Sequence, residues 1–268
     1  MNLELVRQVI SVRAEQDRRF EIPLSYGLYV KDLAALPMAR GVWPLAAVES
    51  TGNTFDLSGN VRTLTYNGNP LYSVHNSFVP YLDLDGTGDS LSRADEAGLD
   101  ILGTESYVAT AQRGLTMYLW FWVDVIAANV GLIGKFTTTG NQRSYVIRIN
   151  SASNTLDFIV SSNGTAETTV SSTAALTLGV WNFVAARYTP STELALWHGS
   201  ATEYTKYTNT TAIPTSIFSS TARFEIGGMN TGALLLDGRV SAGALYAALH
   251  ADGVVDYVFE TGRGVFGV

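Results

Sequence analysis

From Gly41 onward the chain is a succession of short apolar runs separated by turn residues, and a 3.6-residue repeat is almost absent. In the segment 144–165 (SYVIRINSASNTLDFIVSSNGT), Tyr145, Ile147 and Ile149 alternate on one side of a Ser/Asn turn, and Leu156, Phe158 and Val160 answer on the other. In 180–200 (VWNFVAARYTPSTELALWHGS), Trp181, Phe183 and Ala185 lead to the turn Thr189-Pro190-Ser191-Thr192, followed by Leu194 and Leu196. Each segment predicts a β-hairpin. Many short strands without intervening helices predict an all-β, antiparallel sandwich or jelly roll.

Composition agrees with a packed core and removes several chemistries. Of 268 residues, 46% are hydrophobic and only 15% charged, so enough apolar surface is present to offset the entropy of ordering. With no cysteine, disulfides, thiolate zinc sites and a cysteine nucleophile are out of reach. The three histidines, His75, His198 and His250, lie far apart and form no metal-binding motif. A net charge of −7 opposes any broad nucleic-acid surface. No phosphate-binding glycine loop and no Gly-x-Ser-x-Gly elbow occurs; Gly227-Gly228 and Gly262-Arg263-Gly264 read as turns.

Residues 1–40 read differently from the rest. They carry 6 basic and 5 acidic side chains, against 11 and 19 in 41–268. Leu3, Val6 and Ile10 fall on one helical stripe, with Leu5, Val9 and Val12 beside it and Asn2 as a candidate N-cap; a less regular stretch runs from Pro23 to Met38. This predicts a helical and extended arm over 1–40 ahead of a sandwich over 41–268. The stripe covers one end of that sandwich or docks on another subunit; the sequence leaves both open. Charged residues interrupt the first twenty positions, so no secretory h-region is expected. The most apolar stretch, 115–134, is rich in aromatic and β-branched residues and predicts strand, turn and strand rather than a membrane span.

The order of motifs resembles laminin-G-like, concanavalin A-like lectin/glucanase domains. Trp43-Pro44-Leu45 followed by Asp56-Leu57-Ser58-Gly59-Asn60 is similar to the family's opening strand and loop. The segment 81–95 (YLDLDGTGDSLSRAD) resembles its second element, 115–125 (LTMYLWFWVDV) its central aromatic strand, and 178–200 its Trp-x-x-Val-Ala strand and return. Residues 224–228 (FEIGG) and 234–255 resemble the closing strands and the short helical turn after them. The resemblance implies a concanavalin A-like antiparallel β-sandwich (jelly roll) with a short N-terminal helical or extended arm. One departure concerns calcium: where many relatives carry an acid in the closing strand, this chain has Ser241 and Ala242.

No cofactor is expected. The run Asp83 to Asp89 has the acids of a calcium loop but reads as a strand, an Asp-Gly turn and a strand, with Ala94 where an EF-hand needs its bidentate Glu. A structural calcium near Asp56 or Asp83 is the only metal the sequence leaves open. Hydrolases of this fold display a Glu-x-Asp-x-x-Glu pattern on one strand, and none is present; the central strand contributes only Asp124. For glycan binding, Trp197, His198, Tyr204 and Tyr207 cluster after a predicted strand, with Glu203 and Asn209 nearby, and form the candidate sugar-stacking surface. Trp120, Trp122 and Trp181 are expected in the core.

A domain type that usually faces the cell exterior, on a chain without an export signal, leads to the expectation of a non-enzymatic virion structural protein. In that reading a tail, fibre or capsid-decorating protein sits on the virion surface, contacting other virion proteins or itself through residues 1–40 and adhering to surface glycans. A free, extracellular carbohydrate-binding module is the alternative, and a glycoside hydrolase the third class.

Overall fold

In the computed structural model, residues 24–45, 53–76, 79–200 and 202–266 are described. Helix α1 is Leu24–Ala35, and strands β1 to β6 are Ala39–Trp43, Asn53–Thr54, Leu64–Asn67, Leu71–His75, Val79–Asp85 and Ser90–Arg93. Strands β7 to β12 are Leu115–Val125, Val130–Thr137, Gln142–Asn150, Thr155–Val160, Thr168–Ser171 and Trp181–Thr189. Strands β13 to β18 are Glu193–Ser200, Tyr204–Asn209, Phe224–Ile226, Gly228–Met229, Leu234–Leu235 and Asp237–Tyr246, and helix α2 is Asp252–Arg263.

The strands pair antiparallel into two large sheets. Sheet I runs β14-β13-β12-β7-β18-β5-β4, with β1 beside the second half of β18. Sheet II runs β11-β10-β9-β8-β15-β6-β3-β2, and β16 and β17 form a small separate ribbon. Both expected hairpins form. Tyr145 opposes Val160, Ile147 opposes Phe158 and Ile149 opposes Leu156. In the second, the expected turn connects β12 to β13, but Phe183 and Ala185 face away from the inter-sheet core while Leu194 and Leu196 face into it.

The inter-sheet core joins Leu119, Phe121, Val184 and Leu196 of sheet I to Ile133, Ile147, Phe158 and Phe224 of sheet II. Sheet I is apolar on its outer face too. Tyr118, Trp120, Phe183, Trp197 and Tyr246 point there and are fully buried or nearly so. Double-sided burial explains why β7 reads as a continuous apolar run instead of an alternating one.

Helices α1 and α2 and Phe266 supply the cover. The stripe Tyr26-Tyr29-Val30-Leu33 has i, i+3, i+4, i+7 spacing and is buried on sheet I. Thus the stretch before residue 40, expected to be irregular, is largely helical and packs on this chain's own sandwich; the stripe Leu3-Val6-Ile10 lies outside the described residues. Pro37 follows the helix closely, as suits a residue unable to continue it. The burial of α1 is matched by hydrogen bonds. Trp120 Nε1 donates to the Tyr29 hydroxyl (2.9 Å), Tyr246 donates to the Leu33 carbonyl (2.8 Å), and the Tyr26 hydroxyl donates to the Pro44 carbonyl. Ser241 Oγ donates to the Pro80 carbonyl (2.7 Å) and lies 3.0 Å from the Tyr26 hydroxyl.

Helix α2 is three turns long where a short helical turn was expected. It buries Val255, Val258 and Phe259, and Phe266 beyond it stacks on Trp120 with ring centroids 4.3 Å apart. Gly262, expected in a turn, lies in this helix, where a Cβ would sit 2.7 Å from Trp120 Nε1. Among the described residues no helix is long and apolar enough to cross a membrane.

Two histidines complete the buried set. Burial lowers both His198 and His250 to about 4 from an ordinary value of 6.5; the Arg187 guanidinium also lowers His250, and a Pro37 carbonyl contact opposes the shift. The unfolded chain therefore binds more protons than the folded one between about pH 6.5 and 4, so stability present at neutral pH is lost as pH falls through that window. The two together are worth on the order of a few kcal/mol. The denaturant midpoint is expected to drop between pH 6.5 and 5, before most carboxylates titrate, and to drop less in His198→Gln. A midpoint flat over that interval would contradict this assignment.

Candidate functional site

Strand alternation and the helix cover separate the four residues expected to bind sugar. Trp197 points to the outer face, is 1% exposed, and lies within 5.0 Å of both the Arg187 guanidinium carbon and the Lys206 ammonium. Both cations bond to Asp252 at the start of α2 (2.7 and 2.8 Å), so the Trp197 ring forms part of the seat of that helix. Tyr204 packs against Phe183 and Phe259 and donates its hydroxyl to Asp256 of α2. His198, next along β13, is buried at 4% exposure, and Tyr207 packs on the inter-sheet core. These side chains do not converge on one exposed aromatic face. The geometry makes Trp197 and Tyr204 helix anchors. Nearby Asn209 donates to the Thr169 carbonyl across the sandwich rim (2.8 Å).

Of the acids weighed for calcium, Asp56, Asp85 and Asp89 are engaged by backbone amides. The Asp56 carboxylate accepts from the Val42, Ser58 and Arg62 amides (2.9, 2.8 and 2.9 Å) and from Ser58 Oγ (2.7 Å), which fixes the loop after β2. Asp85 accepts from the Thr87 amide (2.7 Å), as the Asp-Gly turn between β5 and β6 requires, and Asp89 accepts from the Asn69 amide between β3 and β4 (2.6 Å). Asp83 lies 3.5 Å from Arg239 Nε. Among the described residues no group of three or more His, Asp or Glu is arranged to hold a metal ion.

Sheet I does leave one part of its outer face partly open. Cross-strand pairing lines up Trp181, Trp122, Arg239, Asp83 and Leu71 in one row across β12, β7, β18, β5 and β4. Trp181 is nearly buried against Phe266 (5.1 Å between ring centroids), marking the edge of the helix cover. Past it, Trp122 and His75 are partly exposed, with rings 5.3 Å apart, and Leu71 is 58% exposed. Trp122 is therefore a border residue and not the core residue its sequence context suggests. Arg239 holds its guanidinium 4.5 Å from the Trp122 ring and 5.0 Å from the Tyr81 ring. Trp122 Nε1 donates to Asp124 (2.9 Å), fixing the indole plane.

Carboxylates surround this strip. Burial, then the charges of Asp124, Asp83 and Asp85, push Asp237 above its ordinary range. Asp83 is also raised, by its burial and by Asp124 and Asp89, against the opposing pull of Arg239. Burial and Arg239 hold His75 below its usual value. The Trp181 Nε1 donor, at the buried side of the strip, has no partner among the described residues. An indole edged by carboxylates and one guanidinium suits a ligand with a C–H face and a hydroxyl rim. Sequence reasoning missed this site because its members come from separate strands. The one local signal was Trp-x-Asp at 122–124, which puts ring and acid on the same face of a strand.

Comparison with known proteins fits this architecture. The profile of a laminin-G family, described as the Concanavalin A-like lectin/glucanases superfamily, matches residues 100–251, more than half of the chain. No curated protein matches by sequence. Among solved structures, the receptor binding domain of a botulinum neurotoxin C/D mosaic serotype is similar with a TM-score of 0.61 at 10% identity, over 83% of this chain and 51% of that one. The binding domain of Paraclostridial Mosquitocidal Protein 1 gives 0.61 at 12% identity, over 87% and 53%. The binding domain of botulinum neurotoxin DC, solved in complex with SialylT, gives 0.56 at 14%, over 84% and 52%. At such identities the likeness is one of fold, and this chain spans about half the length of each of those domains. With its sandwich, strand order and profile match in agreement, the chain belongs to the concanavalin A-like lectin/glucanases superfamily.

Proposed function

We propose that this chain is a non-catalytic, lectin-like binding domain that holds a saccharide on the strip formed by Trp122, His75, Arg239 and the neighbouring aspartates. The observation that carries the reading is the position of Trp122: a partly exposed indole, fixed by Asp124, where the apolar cover of sheet I stops. Ring stacking supplies contact area, while carboxylate and guanidinium groups at the rim meet hydroxyls. Similar folds occur in a receptor binding domain and in a binding domain solved with SialylT, which supports binding as the activity.

Calorimetric titration against a panel of oligosaccharides tests this. Trp122→Ala is expected to weaken binding tenfold or more, about 1.4 kcal/mol, while Trp197→Phe leaves affinity unchanged and lowers stability. Binding lost in Trp197→Phe but kept in Trp122→Ala, or no binding to any saccharide, would overturn the assignment.

For its setting, we propose an exposed surface of a virion. The support is the apolar stripe Leu3, Val6 and Ile10 ahead of the domain, suited to a neighbouring particle protein or a second copy. A secreted module is the second reading, favoured by the toxin domains that share the fold. Light scattering on the full chain is expected to show a defined oligomer that dissociates in Val6→Asp; a monomer at every concentration would favour the secreted module.

A further inference from the structure

The strip's charge is as distinctive as its aromatic ring. Asp83, Asp85, Asp124 and Asp237 border it, and Arg239 is the one cation the ladder places among them. That cation lies over Trp122 and Tyr81 and 3.5 Å from Asp83, and its Nε makes no hydrogen bond among the described residues. Among the described residues, Asp85, Asp124 and Asp237 have no ion-pair partner, and Asp85 and Asp124 are exposed. The site itself stands on the partly exposed Trp122 and His75 rings and on the unpartnered, nearly buried Trp181 indole; the acids set what it accepts.

We infer that the strip selects saccharides without carboxylates, either uncharged or amine-bearing, and rejects sialylated and uronate-containing ones. This rests on the saccharide-binding reading above. Ionised carboxylates accept hydrogen bonds and donate none. A sugar hydroxyl or ammonium group arriving beside Asp124 and Asp237 finds acceptors. A ligand carboxylate meets the like charge of four carboxylates against a single guanidinium in the strip, and gives up its own hydration to do so. His75 does not change the balance at neutral pH, because burial and Arg239 favour its uncharged form.

The test is a glycan array probed with the full-length protein, with each core oligosaccharide present in plain, amine-bearing, sialylated and glucuronylated forms. The expected result is binding to plain or amine-bearing cores, falling at least tenfold when a carboxylated sugar is added. In Asp124→Asn/Asp237→Asn, which keeps an oxygen acceptor for Trp122 Nε1, that gap is expected to narrow threefold or more. Sialylated or uronate forms bound as well as their plain cores would overturn the selectivity and leave saccharide binding standing. No signal for any core form would overturn the binding reading, and the selectivity with it.

Discussion

Sheet I is apolar on both faces, and the rest of the structure follows from the need to cover the second one. Along β7, Leu119 and Phe121 fill the space between the sheets while Tyr118 and Trp120 point the opposite way. Each such side chain is worth about 1.5–3 kcal/mol when removed from water. A sandwich that left this face bare would forgo much of its stability and expose a large apolar patch. The cover comes from both ends of the described chain, α1 from one and α2 with Phe266 from the other. Tyrosines of α1 and β18 satisfy what the packing buries: the Trp120 indole finds Tyr29, and the Tyr26 and Tyr246 hydroxyls find carbonyls. A seam of Arg187, Lys206 and Asp252 holds α2 over Trp197.

The extent of that cover decides where a ligand has access. Phe266 closes over Trp120 and Trp181, and one strand further along the row Trp122 is only partly covered. Beyond it the side chains change in character to Arg239, the aspartates and His75. A buried aromatic seat and a candidate binding strip thus lie on one face of one sheet, separated by where the helices end. Ser241 also serves the cover, tying β18 to β5 and approaching α1.

Much of the fold was legible because it is local. The hairpin from Tyr145 to Val160 forms in the register its alternation predicts, since a slip of one residue would turn Ile147 and Phe158 out of the core. The Asp83–Asp89 turn and the strand, turn and strand expected over 115–134 were equally readable, the second strand running on to Thr137. Helix α1 was missed although Tyr26, Tyr29, Val30 and Leu33 have helical spacing; Tyr is as common in strands, and Gly27 interrupts the run. The candidate site was harder. Trp197 drew attention because His198, Tyr204 and Tyr207 follow it closely, yet nearness in sequence on adjacent strands puts alternate residues on opposite faces. His75, Asp83, Trp122 and Arg239 come together through pairing of β4, β5, β7 and β18, a register no local pattern reveals.

Native-state hydrogen exchange of the full chain tests the closure of sheet I most directly. If α1 is an integral wall of the domain, its amides from Gly27 to Ala35 should open only with the domain, sharing the highest protection of β7 and β18. If those amides exchange orders of magnitude faster than β7 under native conditions, α1 is a detachable arm and the outer face of sheet I is not closed by this chain.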